Sequence, residues 1–180
     1  IGVIVGTISL TGMGLKFSDL VISMAGDSLL MAVILIALAS LVLGMGVPVT
    51  AAYLIVAVLA VPALGEYGVS IIAAHMIVYW LSQDSNITPP VCVAAYAGAA
   101  IAGADPWKTG WTSFKFAKLL YVMPLMFAYV PGIMLEGSGL EIFTAFLSAL
   151  LGTLLFGAFA MGYLRRGTLI HEWILLGIGT

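Results

Sequence analysis

Long apolar runs separated by short polar stretches organise the chain. Two runs are long enough to cross a bilayer, which takes about 20 apolar residues and roughly 17 at the least. They are residues 119–135, "LLYVMPLMFAYVPGIML", and 142–160, "IFTAFLSALLGTLLFGAFA". The short polar link "EGSGLE" between them predicts an antiparallel pair. Two other regions are interrupted. "LLMAVILIALASLVL" (29–43) is followed by "GMGVPVT" and then by "AAYLIVAVLAVPA" (51–63). At 1.5 Å per residue the first arm reaches only about 22 Å, short of a hydrocarbon core of about 30 Å. A re-entrant hairpin over 29–63 is therefore expected, the alternative being one long kinked helix. Gly44, Gly46 and Pro48 argue against a continuous helix, since an interior Gly costs about 1 kcal/mol and an interior Pro about 3 kcal/mol. The third region, 69–104, places "VSIIAAHMIVYWL" and "VCVAAYAGAAIAGA" on either side of the polar "SQDSNITPPV". It reads as one discontinuous transmembrane helix. Irregular backbone at membrane depth survives only where protein buries it or it lines a cavity, and paired interruptions of this kind point to a transporter binding site.

Composition agrees with the pattern. Of 180 residues 63% are hydrophobic and 8% charged, with a mean hydropathy of +1.21; a soluble domain carries about 25% charged residues. Lipid is the expected solvent, and the expected class is an all-α, multi-pass membrane protein. A net charge of −2 offers no basic patch, so nucleic acid is not an expected partner. The single cysteine, Cys92, has no partner for an internal disulfide and no second thiolate for a metal; it reads as a small packing residue. No signal-peptide pattern opens the chain. Both ends read as cut within helices, so a fragment of a longer membrane protein is expected.

Charge sets an orientation. If 29–63 enters and leaves on one face and 69–104 crosses, then Lys108, Lys115, Lys118, Arg165 and Arg166 share the far face, five of the six basic residues. Lys16, Asp19, Asp27, Glu66, Glu136 and Glu141 fall on the near face. The positive-inside rule makes the far face cytoplasmic, and two full crossings at 29–63 would give the same result. Residues 1–28 then read as the end of a membrane helix and a periplasmic connection. Residues 161–180 read as a cytoplasmic loop and the start of a further helix. The segment 105–118 mixes Trp107, Trp111, Phe114 and Phe116 with lysines, which suits a helix lying in the headgroup zone.

The breaks carry the chemistry. Pro89 and Pro90 lack N–H groups, so a helix running through them would leave the Ser85 and Asn86 carbonyls without partners. With the side-chain oxygens of Ser85, Asn86 and Thr88 they make a set of neutral oxygens suited to a hard monovalent cation such as Na+. A half-helix starting near Val91 would aim its N–H groups back at the site and favour an anion. In "GMGVPVT", Gly44 and Gly46 permit close backbone approach, and Thr50 either caps the second arm or binds a ligand. Asp84 is an ionisable residue within a membrane segment and a candidate for ion or proton coupling, or it faces water at a helix end. His75, beside Tyr79 and Trp80, reads as a hydrogen-bonded packing residue. His75 and Ser82 share a helical spacing, but no nucleophile turn or metalloprotease motif accompanies them. An enzyme is therefore not expected, and no cofactor beyond a coupling ion is implied. A channel or a structural subunit stays open beside a carrier.

"LGMGVPVTAAYLIVAVLAVPAL" followed by "ITPPVCVAAYAGAAIAGADPWKTGW" resembles the large permease of tripartite ATP-independent periplasmic (TRAP) transporters, and looks most like its TAXI-type fused branch. "IGVIVGTISLTGMGLKFSDLV" and "MFAYVPGIML" fit the same pattern, so the resemblance covers nearly the whole chain. Val49 departs from it, standing where the family usually has a second threonine beside Thr50. The resemblance implies an elevator-type secondary transporter in a bacterial or archaeal cytoplasmic membrane, importing an organic anion, often a carboxylate, from a periplasmic solute-binding protein with Na+. It implies two inverted repeats, each with a hairpin and a discontinuous helix, this chain holding the second and partnering an N-terminal one. Gly44, Gly46, Thr50, Ser85, Asn86 and Thr88 would then hold Na+. Val47, Pro48, Thr50, Pro89 and Pro90 would border the solute; Asp84 stands outside the resemblance, as a coupling candidate read from its own position.

Overall fold

A computed structural model describes residues 2–161, with side chains through 159; the expected loop and further helix of 162–180, Arg165 and Arg166 included, lie outside the described residues. Among the described residues the chain is helical and has no strand. The helices are α1 (Gly2–Leu10), α2 (Met13–Ala25), α3 (Leu29–Leu43), α4 (Val49–Glu66), α5 (Ile71–Asp84), α6 (Val93–Ala102), α7 (Pro106–Phe116), α8 (Lys118–Tyr129) and α9 (Gly139–Met161), with a 3-10 turn at Pro131–Met134.

The helix starts follow local chemistry. The Ser28 and Ser70 hydroxyls accept from the Met31 and Ala73 N–H groups, capping α3 and α5. Asp105 accepts from Lys108 N–H at 2.7 Å, with Pro106 in the first turn of α7. Ser138 and Glu141 cap α9 reciprocally: the Ser138 N–H donates to Glu141 Oε2 at 2.7 Å and the Glu141 N–H to Ser138 Oγ at 3.4 Å.

Three boundaries differ from the sequence pattern. The run 119–135 is not one helix. α8 stops at Tyr129, Val130 turns to φ −125° and ψ 81°, and the 3-10 turn follows. Pro131 is the cause, because it disfavours helical backbone at the residue before it. The second arm of the 29–63 region is longer than the pattern suggested. α4 runs 18 residues, carries Pro62 in its interior and is long and apolar enough to cross a membrane. Finally, residues 1–28 form two helices bent by 70° at Thr11–Gly12, where Gly12 takes φ +67°.

α4 is the centre of the packing, with α1, α2, α3 and α5 against it and α8 behind α5. The main core is rich in alanine: Ala32, Ala57, Ala60, Ala63 and Ala74 interleave with Val21, Val56, Ile36, Ile77, Leu64 and Phe127. Small residues let helices approach closely where lipid supplies no hydrophobic drive between them. The near-face ends are tied by side chains. Tyr67 OH donates to the Gly26 carbonyl at 2.7 Å, and Ser70 Oγ donates to Glu136 Oε1 at 2.7 Å. The ends of α2 and α4, the start of α5 and the segment after α8 therefore lie together. α7 meets α8 and α9, and α6 and α7 pack on one another. Gly110 lets them close up: a Cβ there would sit 3.2 Å from Cys92 Sγ and from Tyr96 Cε1. Cys92 is buried, in keeping with a packing role.

α9 is the other helix long and apolar enough to cross, and the bent α1–α2 pair passes the same test when taken together. Only 11% of the apolar window of α9 is buried against the chain, against 44% for α4. Leu140, Phe143, Phe146, Leu150 and Leu154 stand exposed along it, as a membrane helix does toward lipid or neighbouring helices. α7 keeps Trp107, Trp111 and Phe116 exposed and stacks Trp107, Trp111 and Phe114 edge to face at 5.7–6.0 Å.

Candidate functional site

Two irregular turns meet inside the helix cluster. The first joins α3 to α4. The Gly44 N–H closes α3 onto the Ser40 carbonyl at 2.8 Å, and Gly46 reverses the chain with φ +75°. Pro48 stands at the N-cap of α4, its carbonyl accepting from the Ala51 and Ala52 N–H groups at 2.9 and 3.0 Å. Thr50 is therefore not the cap of this arm.

The second turn runs from Ser85 to Cys92 between α5 and α6. The Asp84 carbonyl accepts from the Ile87 and Thr88 N–H groups at 3.2 and 2.9 Å, and the Thr88 carbonyl from Cys92 at 3.2 Å. Tyr96 OH donates to the Pro90 carbonyl at 2.9 Å. The Pro89–Pro90 peptide bond is cis. One expectation fails here. The Asn86 carbonyl is not freed by Pro90, because the chain folds back and the Ala94 N–H donates to it at 3.1 Å. Thr88 Oγ1 is also engaged, in a hydrogen bond with Tyr121 OH on α8.

The contact between the turns is close. A Cβ on Gly44 would lie 2.7 Å from Ser85 Oγ and 2.9 Å from the Ser40 carbonyl oxygen, so only glycine fits. A pocket of about 150 Å³ opens beside this contact, lined by Leu41, Val42 and Met45 on one side and by Ser85, Thr88, Pro89, Pro90 and Val91 on the other. Of the residues singled out in the sequence, the structure thus sets Gly44 against Ser85, and Ser85 lines the pocket with Thr88, Pro89 and Pro90. Gly46 and Pro48 are exposed at the turn, Val47 is half-buried, and none of the three lines this pocket. Thr50 faces elsewhere, in a groove of about 600 Å³ with Tyr53, Ile71, Ile72, His75, Met76 and Tyr79.

Several polar atoms around the contact are buried without a hydrogen-bond partner: Ser40 Oγ, Asp84 Oδ1 and Asn86 Nδ2, with Trp80 Nε1 nearby on α5. Asp84 is 1% exposed and borders a second cavity of about 240 Å³, walled by apolar residues of α3 and α8 and by Tyr121. A carboxylate so placed needs a counter-charge or a hydrogen bond. Sequence reasoning passed over Ser40. Its signal was present: it is the one hydroxyl in the otherwise apolar run 29–43.

His75 and Ser82 are not brought together. His75 Nδ1 pairs with Tyr53 OH at 3.0 Å, and Ser82 Oγ donates to the Val78 carbonyl at 2.7 Å. Among the described residues no three His, Cys, Asp or Glu side chains converge as metal ligands. The glycine turn meets the polar helix break at Gly44 and Ser85, both buried, while Gly46 and Pro48 stay exposed.

Comparison with known proteins gives one match. No curated protein and no solved structure matches the chain. The family model of the tripartite ATP-independent periplasmic transporter, DctM component, matches residues 1–133, which take in both turns and everything packed against them. The chain accordingly belongs to the DctM family, the large membrane component of TRAP transporters, a family of secondary transporter permeases.

Proposed function

We propose that this chain forms the ion- and solute-binding half of a permease that imports a small organic anion, a carboxylate by class, together with Na+. A periplasmic solute-binding protein delivers the anion. The observation that carries the reading is the contact of Gly44 with Ser85, which sets the α3–α4 turn against the polar break. Ser85, Asn86 and the backbone around them offer uncharged oxygens to a hard cation. The Val93 end of α6 begins at the same break and adds the positive end of a helix dipole for the anion. The Asn86 amide nitrogen is a buried donor without a partner, suited to a carboxylate oxygen; turned by 180° the same amide presents its oxygen to a cation.

α3–α4 acts as the re-entrant hairpin and α5–α6 as the discontinuous helix of an elevator-type repeat of the TAXI-type fused branch. The N-terminal repeat of the same permease supplies the other half of the site. Gly46, Val47, Pro48 and Thr50 face that half and the solute rather than the Gly44–Ser85 contact. The small buried residues between α3, α4 and α5 support this reading, because they let the unit move as one body.

The test is uptake of candidate carboxylates into proteoliposomes holding the complete permease, with its binding protein present. Saturable uptake that needs an inward Na+ gradient is the expected result. Uptake that ignores Na+ and follows a proton gradient would move the coupling to Asp84, and unsaturable flux would make the protein a channel.

A further inference from the structure

The groove between α4 and α5 shares no lining residue with the pocket at the Gly44–Ser85 contact. It measures about 600 Å³. Thr50, in the first turn of α4, marks one end, beside the exposed Gly46–Pro48 turn. Ile71 and Ile72, in the first turn of α5, mark the other, next to the Ser70–Glu136 hydrogen bond on the near face. The groove thus runs from the face read as periplasmic to the hairpin turn. No Asp, Glu, Lys or Arg lines it; its polar groups are hydroxyls and one imidazole. Tyr53 OH pairs with His75 Nδ1 at 3.0 Å, and the Tyr53 ring meets Tyr79 edge to face at 5.8 Å. Neither His75 Nε2 nor the Tyr79 hydroxyl has a hydrogen-bond partner among the described residues. His75 and Tyr79 are four residues apart on α5 and so stand one above the other on one face. A face built for lipid looks different in this protein. Residues 142–159 of α9 contain no ionisable side chain, and the exposed Thr144 hydroxyl donates to backbone carbonyls. A histidine within a membrane segment marks a path for solute or ion by default. With Tyr53 as donor to Nδ1, the ring proton sits on Nε2. The groove then presents donors from His75, Tyr79 and Thr50 and no carboxylate, which complements an anion. Ile72, Met76 and the tyrosine rings make walls for an apolar body.

We infer that the α4–α5 groove is an outer solute site, in which His75 and Tyr79 hold the carboxylate of an anion with an apolar body before it reaches the break. The inference rests on the reading of the chain as part of an organic-anion permease and names the chemistry of the solute. Tyr53 is a positioning residue, since its hydroxyl sets which ring nitrogen of His75 faces the groove as a donor. Donors without a permanent charge suit a site on a path, where binding must be favourable enough to admit the solute and weak enough to release it.

The experiment is carbethoxylation of the complete, detergent-solubilised permease by diethyl pyrocarbonate, with the adduct on His75 quantified by peptide mass spectrometry. It is run without Na+ and titrated with phenylacetate, with benzyl alcohol (the body without the carboxylate) and with succinate (carboxylates without the body). Expected is labelling of His75 at Nε2 that phenylacetate suppresses saturably, while each control needs a concentration at least about 10-fold higher. In Tyr79→Phe the half-protecting phenylacetate concentration should rise about 10-fold, the scale of a lost hydrogen bond to a charged group. Its labelling without ligand, equal to that of wild type, reports that the groove is intact. Equal protection by benzyl alcohol would overturn carboxylate recognition, and equal protection by succinate would overturn the apolar body. An unchanged half-protecting concentration in Tyr79→Phe would overturn the two-donor arrangement. No labelling at all would mean that lipid or the N-terminal repeat fills the groove, and labelling that phenylacetate does not slow would mean that the groove is open but holds no carboxylate; either would overturn the site. The assay uses neither Na+ nor transport, so a failure of Na+-driven uptake would leave its result standing, and its failure would leave uptake through the break standing.

Discussion

The two turns that meet at the centre of this protein are built from different chemistry. The α3–α4 turn is short, exposed at Gly46, Pro48 and Thr50, and shaped by glycine and proline with little polar content. The α5–α6 break is longer, buries Asp84, Ser85 and Thr88, and is stitched by its own backbone hydrogen bonds. A turn of the first kind fixes direction. A break of the second kind holds polar atoms at depth, which is tolerated only where they are satisfied or occupied. In the proposed site the first turn is therefore the wall and the second the floor. Gly44 is the one residue of the wall that must stay small.

Gly44→Ala should give the largest structural effect. Its Cβ would meet the Ser40 carbonyl oxygen and Ser85 Oγ at less than 3.0 Å, and overpacking of this kind costs about 1–3 kcal/mol. Thermal unfolding of the purified permease should fall, and uptake with it. Gly46→Ala sharpens the contrast. Nothing lies near its Cβ, so only the φ of +75° is penalised, at about 1–2 kcal/mol, and uptake per folded molecule should persist. Thr88→Val removes the hydrogen bond to Tyr121 that fastens the break to α8. A loss of about 0.5–1.5 kcal/mol is expected in denaturant unfolding. The smallest effect belongs to Thr50→Val. An exposed residue that caps nothing should shift stability by less than about 0.5 kcal/mol, so any change it brings should appear in solute affinity, measured as the KM of uptake.

How much of this was legible beforehand depended on which residues made each feature. Both turns were visible because Gly44, Gly46, Pro48, Pro89 and Pro90 are local helix breakers, and the breaks fall where those residues fall. The end of α8 was not visible, because apolar residues run on through Pro131 and hydropathy does not see a proline's effect on Val130. The bend at Gly12 was hidden in the same way within an apolar stretch. The partner of the Asn86 carbonyl and the isolation of Thr50 from Ser85 came from how the chain folds back and which face of α4 turns toward α5. Neither is a property of local sequence. Ser40 was legible as the lone hydroxyl of its run, yet a single serine in a helix ordinarily bonds its own backbone. Only its burial without a partner gives it meaning.

The measurement that tests the account most directly is the Na+ activation curve of carboxylate uptake by the reconstituted complete permease, taken on wild type, Asn86→Ala and Thr50→Ala together. If the break holds the ion and solute, Asn86→Ala should cut Na+-driven uptake by about 10- to 100-fold, the scale of a lost hydrogen bond to a charged group, while Thr50→Ala keeps the wild-type Na+ dependence. An unchanged curve for Asn86→Ala, with the Na+ dependence lost in Thr50→Ala, would contradict the account and move the ion to the exposed turn.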